Sequence, residues 1–381
     1  MDKSVQIEEV CVLLLNSNEL PVEEPVSPSP EAKGSTERPL RVVAIGGGTG
    51  LSTLLRGLKQ YVPVQDRRRG ARTPADAAPS PQHPIGELAA VVTVTDDGGS
   101  SGRLRDDLNI LPPGDIRNCM VALSEDEHLL ARLFKYRFDQ GELQGHSFGN
   151  LFLAALSHVT GDFAQAVQTS SQILAARGRI FPATTANVTL VAQMDDGSTV
   201  LGETSITRSK KTIIELKLDP AEVDPLPETL EAIAHADLIT LGPGSLYTSL
   251  ITNLLVRGIP EAIAASRACR VFICNLMTQA NESIGLTASQ HLEKILCHSR
   301  GHKLFDYALI NTQPIRPATL AQYAREGQEP IINDLDCIRA LGVEPITGNF
   351  LHEGEVLRHD HDRVADALLQ LCFGRQSPKD A

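Results

Sequence analysis

The sequence predicts an α/β fold, three-layer and Rossmann-like, with a mainly parallel doubly wound sheet and an inserted antiparallel β meander. Three observations predict it. Near-continuous apolar runs at 41–45, 89–95, 238–241, 271–275 and 307–311 suit strands buried on both faces, as in a parallel sheet. Between them, residues 51–60, 129–138, 151–158, 163–176 and 288–298 repeat apolar side chains at helical spacing. Glycine-rich loops join strand to helix, the alternation that builds doubly wound layers.

Residues 1–39 carry eight acids, three bases and five prolines, too polar to bury the apolar surface that would offset chain ordering. They read as a disordered acidic tail of net charge −5, and residues 376–381 as a disordered C-terminus. One domain is expected over 40–375. Inside it, 63–86 holds Arg67, Arg68, Arg69 and Arg72 before a run of prolines and reads as a flexible surface insertion. Residues 188–218 contain three β-like runs around turn residues and read as the meander.

With 35 basic and 47 acidic residues the 381-residue chain has a net charge of −12, which argues against broad nucleic-acid binding. The longest apolar run near the start, 10–15, is too short to span a membrane, so no membrane insertion is expected. Seven scattered cysteines with no C-x-x-C spacing read as reduced thiols in a cytoplasmic protein.

The first strand runs into Gly46-Gly47-Gly48-Thr49-Gly50 and then a helix, where backbone N–H groups and the helix dipole can cradle phosphate. It is neither a Walker A loop nor a complete G-x-G-x-x-G. The second ends in Asp96-Asp97-Gly98-Gly99-Ser100-Ser101-Gly102-Arg103. There one aspartate is placed to accept from ribose hydroxyls; alternatively the pair holds a divalent ion on diphosphate oxygens, and Ser100, Ser101 and Arg103 supply anion donors.

In Gly114-Asp115-Ile116-Arg117-Asn118, Asp115 suits a helix cap or a ligand contact, with Arg117 and Asn118 one turn inside. Gly145-His146-Ser147-Phe148-Gly149-Asn150 opens another helix. Ser147 can cap it, while His146 can contact ligand or exchange protons beside Asn150. A second strand–glycine–helix unit is Gly242-Pro243-Gly244-Ser245, and Cys274 to Gln279 leaves the following strand on the same rim. Residues 359–362, His-Asp-His-Asp, read as a solvated stretch rather than a metal site.

Taken in order, GGGTGLS (46–52), TDDGGSSGRLR (95–105), PPGDIRN (112–118), GHSFGNL (145–151), LGPGSLYTS (241–249) and CNLMTQ (274–279) resemble the gluconeogenesis factor family (YvcK type) of the CofD-like superfamily, over about 40 to 350. The resemblance implies a cytoplasmic nucleotide-sugar-binding regulatory protein, with a UDP-sugar such as UDP-N-acetylglucosamine as ligand. It also implies a role in cell shape and cell-wall synthesis during gluconeogenic growth. A homodimer and a cell-wall synthesis protein are the expected protein partners. The alternative is a transferase of the 2-phospho-L-lactate transferase type with Mg²⁺. In that reading Asp97 and His146 are the catalytic residues, and Asp96 with Asp97 hold the metal. The family pattern continues MTQ with Pro-Gly-Glu, whereas this chain has Ala280-Asn281-Glu282. Asparagine tolerates positive φ best after glycine, so the turn is expected to survive.

Overall fold

The computed structural model describes residues 38–64, 83–124 and 129–376. The acidic tail up to residue 37, residues 65–82 of the expected insertion and residues 377–381 lie outside the described residues. Twelve strands are described: β1 (Leu40–Gly46), β2 (Ile85–Val92), β3 (Arg179–Pro182), β4 (Thr189–Met194), β5 (Thr199–Leu201), β6 (Ile213–Asp219), β7 (Leu238–Leu241), β8 (Cys269–Ile273), β9 (Tyr307–Asn311), β10 (Glu344–Gly348), β11 (Leu351–Glu353) and β12 (Leu357–His359).

Seven of them form one sheet in the order β10-β9-β8-β7-β1-β2-β3, and every neighbouring pair is parallel. The central strands are mostly apolar because helices cover both faces; Val42 to Ile45 of β1 are at most 2% exposed. Each buried Val or Ile side chain contributes about 1.5–3 kcal/mol. The segment from β4 to β6 forms a separate antiparallel sheet, order β5-β4-β6, with a short helix, Glu203–Arg208, between its last two strands. β11 and β12 make a small antiparallel hairpin.

Helix Gly48–Lys59 buries Leu51, Leu54, Leu55 and Leu58, the i, i+3, i+4, i+7 stripe. It packs between helices Gly114–Leu123 and His361–Gln376. Contact with the latter is close: a Cβ on Gly57 would lie 2.1 Å from the carbonyl oxygen of His361.

Several local expectations shift. β2 starts at Ile85, inside the stretch read as insertion, and pairs with β1 from Leu40, with a register shift before Arg41. The helix expected over 129–138 stops at Lys135, because Arg137 bridges to Ser147 in an antiparallel turn. Residues 359–362 are not a solvated stretch: His359 ends β12 and a helix begins at His361. Asp360 Oδ1 accepts from the N–H groups of Asp362 and Arg363, both at 3.2 Å, which caps that helix. Cys119, Cys269, Cys274, Cys337 and Cys372 are free thiols, but Cys297 is disulfide-bonded, which corrects the reading of every cysteine as a reduced thiol.

Candidate functional site

From β1 the chain moves outward to β2 and β3; after returning to β7, on the other side of β1, it moves outward to β8, β9 and β10. The reversal lies between β1 and β7, and in an open α/β sheet the crevice beyond such a switch point is where ligands bind. Both strand–glycine–helix loops leave the sheet there, and they touch. A Cβ on Gly50 would lie 2.2 Å from the carbonyl oxygen of Pro243, so only glycine permits the contact. Asn253 stitches the two units below, its Nδ2 donating to Gly46 O at 3.1 Å and Ser249 O at 2.7 Å. Gly242 holds φ +91°, a conformation that L side chains rarely adopt. The chain then enters a π-helical turn, Leu246–Ile251, an irregularity frequent at functional sites.

The loops form one wall of a cleft of about 340 Å³. Gly47, Gly48, Thr49 and Gly50 line it with Gly244 and Ser245, and the far side comes from Asn275 to Gln279, Tyr323, Gln328 and Leu357 to His359. Helix Gly48–Lys59 has no side-chain cap. Its first-turn N–H groups beyond Gly48 therefore face the cleft as donors for an anion. The second loop is held from beneath: Asn275 accepts from Gly244 N–H at 3.2 Å and donates to Gly244 O at 2.7 Å. Gln279 Nε2 donates to Ser245 Oγ at 2.9 Å. His359 Nε2 lies 3.1 Å from the carbonyl oxygen of Cys274. Burial pushes this imidazole down to about 4, so it is neutral at physiological pH.

Under the first loop lies a group of carboxylates. Asp115 accepts from Gly48 N–H at 2.7 Å, and burial, with Asp96 adding like-charge repulsion, pushes it up to about 6. Burial also raises Glu203 well above the usual carboxylate range, helped by Asp115 and Asp96. Glu282 rises for the same first reason and is held by Tyr247 N–H and Thr248 Oγ1, both at 3.2 Å.

The two adjacent aspartates part company. Asp96 Oδ1 accepts from Gly98 N–H at 2.9 Å and its other oxygen faces Gly114, beside Asp115. Asp97 Oδ1 instead accepts from Thr204 N–H at 2.8 Å, capping helix Glu203–Arg208. Each thus commits one oxygen to a backbone N–H in a different turn, and Asp96 has Asp115 as a carboxylate neighbour. Among the described residues, the one group of three His, Cys, Asp or Glu residues whose ligand atoms converge within 4.8 Å is Asp360, His361 and Asp362, which includes neither Asp96 nor Asp97.

Ser100, Ser101, Arg103, Arg117, Asn118, His146, Ser147 and Asn150 form a second polar cluster outside the cleft lining. Ser147 caps helix Phe148–Thr160, as its position suggested, accepting from Asn150 N–H at 3.2 Å. Arg117 donates to Ser147 Oγ and Asn118 Oδ1, each at 2.6 Å. His146 Nδ1 and Asn150 Nδ2 both meet Ser100 Oγ at 3.1 Å. Burial and then the neighbouring Arg103 lower the His146 pKa. Arg103 itself donates to Gln144 O at 3.0 Å.

The structure thus brings Gly46 to Gly50 together with Gly242 to Ser245. It sets Asp96 and Asp115 directly behind them and places His146, Ser147 and Asn150 apart. Tyr323, Gln328, Arg358 and His359 were missed as cleft residues. They come from the region after the last glycine motif, and only the His-Asp-His-Asp run drew notice to it. Asn281 does adopt positive φ, +65°, so the turn survives without glycine.

Residues 42–351 match the family described as 2-phospho-L-lactate transferase CofD. A gluconeogenesis factor of Halalkalibacterium halodurans is 47% identical over 331 residues, 86% of this chain and 95% of that protein. The gluconeogenesis factor of Bacillus subtilis is 43% identical, over 87% of this chain and 98% of its own length. A crystal structure of a Bacillus halodurans protein, 47% identical, superposes with a TM-score of 0.79 over 87% of this chain and all of that one.

Proposed function

Since the chain belongs to the CofD family and groups there with relatives named gluconeogenesis factor, we propose that it is a regulatory protein that binds a nucleotide sugar in the cleft between its two glycine loops. The observation that carries this reading is the contact of Gly50 with Pro243, which brings two strand–glycine–helix loops, one of them an uncapped helix N-terminus, onto one cleft at the switch point. A UDP-sugar such as UDP-N-acetylglucosamine has the diphosphate for the loops and polar groups at both ends for the rest of the lining. In this reading the bound sugar nucleotide reports precursor supply, and the protein acts in the cytoplasm, as a homodimer and with a cell-wall synthesis partner, on cell shape during gluconeogenic growth. No helix among the described residues is long and apolar enough to cross a membrane.

A second reading, transfer of a phosphorus-containing group from a nucleoside-diphosphate-activated substrate, draws on the family description and on the raised Asp115 beside Asp96. Such a pair can exchange a proton near neutral pH. Calorimetric titration with UDP-N-acetylglucosamine, with and without Mg²⁺, coupled to product detection, separates the two. Micromolar binding without turnover supports the regulator; turnover lost in Asp115→Asn supports the transferase and overturns pure sensing.

A further inference from the structure

His359 lines the cleft opposite the glycine loops. Its Nε2 is 3.1 Å from the Cys274 carbonyl oxygen. A carbonyl oxygen can only accept, so Nε2 carries the proton and Nδ1 is left with a bare lone pair. Among the described residues Nδ1 has no donor, and it is not sealed from solvent as the buried orphan atoms are. Gln279 lines the same cleft, but its amide nitrogen is on Ser245 and its Oε1 is sealed from solvent, so it cannot take this role. A fixed acceptor repels phosphate oxygens, which carry no proton to share. It rewards a ligand group that brings a hydrogen.

We propose that His359 determines specificity in the cleft by accepting a hydrogen bond, through Nδ1, from a hydroxyl or N–H on the nucleoside or sugar part of the ligand, while the diphosphate stays at the glycine loops. This rests on the nucleotide-sugar reading above. The histidine acts as a permanent acceptor because its tautomer is set by the Cys274 carbonyl. A cationic ring would instead attract phosphate and blur the register of the ligand along the cleft.

The test compares three probes, UDP-N-acetylglucosamine, UDP and inorganic pyrophosphate, on the full chain. His359→Phe keeps the ring shape and removes the acceptor. It is expected to weaken the nucleotide probes about ten-fold, the scale of one neutral hydrogen bond, and to leave pyrophosphate unchanged. Loss with UDP-N-acetylglucosamine alone assigns the donor to the sugar, and loss with UDP as well assigns it to the nucleoside. His359→Gln, whose amide can donate to Cys274 O and still offer an acceptor, is expected to restore most of the affinity. Nitrogen NMR of the wild-type imidazole provides a check independent of folding in the variants. The unprotonated Nδ1 signal should shift when the nucleotide probe binds and stay in place with pyrophosphate. Equal losses for all three probes, or an Nδ1 signal unmoved in the saturated nucleotide complex, overturn the proposal. Wild-type protein that binds pyrophosphate but neither nucleotide overturns the nucleotide-sugar reading itself.

Discussion

Asp115 Oδ2 lies 2.7 Å from the backbone nitrogen of Gly48, so an acid from one helix anchors the first residue of another, directly under the glycine loop. The carboxylate is favourable at a helix N-terminus, yet it is buried and faces Asp96, and these two costs prevail: its pKa rises to about 6.

That rise has a definite sign in stability. The folded protein holds the Asp115 proton more tightly than the unfolded chain, so its contribution is most favourable below about pH 4 and is lost as pH rises through about 6. From the ordinary carboxylate value of 3.8 to about 6, the loss is on the order of 3 kcal/mol at neutral pH. Asp115→Asn, which can still accept from Gly48, should flatten the pH dependence of Tm between pH 4 and 7. An unaltered slope would show that Asp115 is not the group titrating.

Gly50→Ala should separate the two glycine loops, because its Cβ would fall 2.2 Å from a backbone oxygen that has no room to move. A cost of about 1–3 kcal/mol in unfolding free energy is expected, with loss of nucleotide-sugar binding in calorimetry. Gly374→Ala is the matched control. That glycine lies in helix His361–Gln376 with open space around it, so alanine should be neutral or stabilise by up to about 1 kcal/mol.

For Asp97, capping and metal binding predict opposite behaviour. As the cap on Thr204 N–H, Asp97→Asn should leave stability nearly unchanged and Asp97→Ala should cost about 1 kcal/mol. Both variants should bind ligand with or without Mg²⁺ as the wild type does. If Asp97→Asn instead abolishes a Mg²⁺-dependent gain in affinity, the carboxylate has a role that its contact with Thr204 does not explain.

Asn253 is fully buried and donates to Gly46 O and Ser249 O at once. Asn253→Leu strands two buried carbonyls and is expected to cost about 2–4 kcal/mol in chemical denaturation. The loss should exceed that of Asn275→Leu, whose bonds to Gly244 lie at the partly open cleft wall.

Much of this architecture was legible because its signals are local. β1, β7, β8 and β9 are buried on both faces, so their sequences are apolar apart from Arg41, Thr240, Arg270 and Asn311. The edge strands β3 and β10 were not legible. β10 is half exposed and contains Pro345, which an edge tolerates and which reads as a strand breaker. Among site residues, the glycines announced themselves by position after a strand. His359 did not, since a histidine amid aspartates looks solvated until the Cys274 carbonyl is found beside it.

By itself the sequence determined which segments become the inner strands and the main helices beside them, which loops carry glycine, and that Asn281 could replace glycine at a positive φ. Those properties depend on side-chain periodicity and on the backbone freedom of single residues. Only the tertiary structure decided that β7 returns beside β1, that Gly50 rests on Pro243, and that Asp97 turns away from Asp96 to cap another helix. Such choices are made by packing and hydrogen bonding between residues far apart in the chain. Local patterning carries no record of which distant partner a strand or carboxylate will meet.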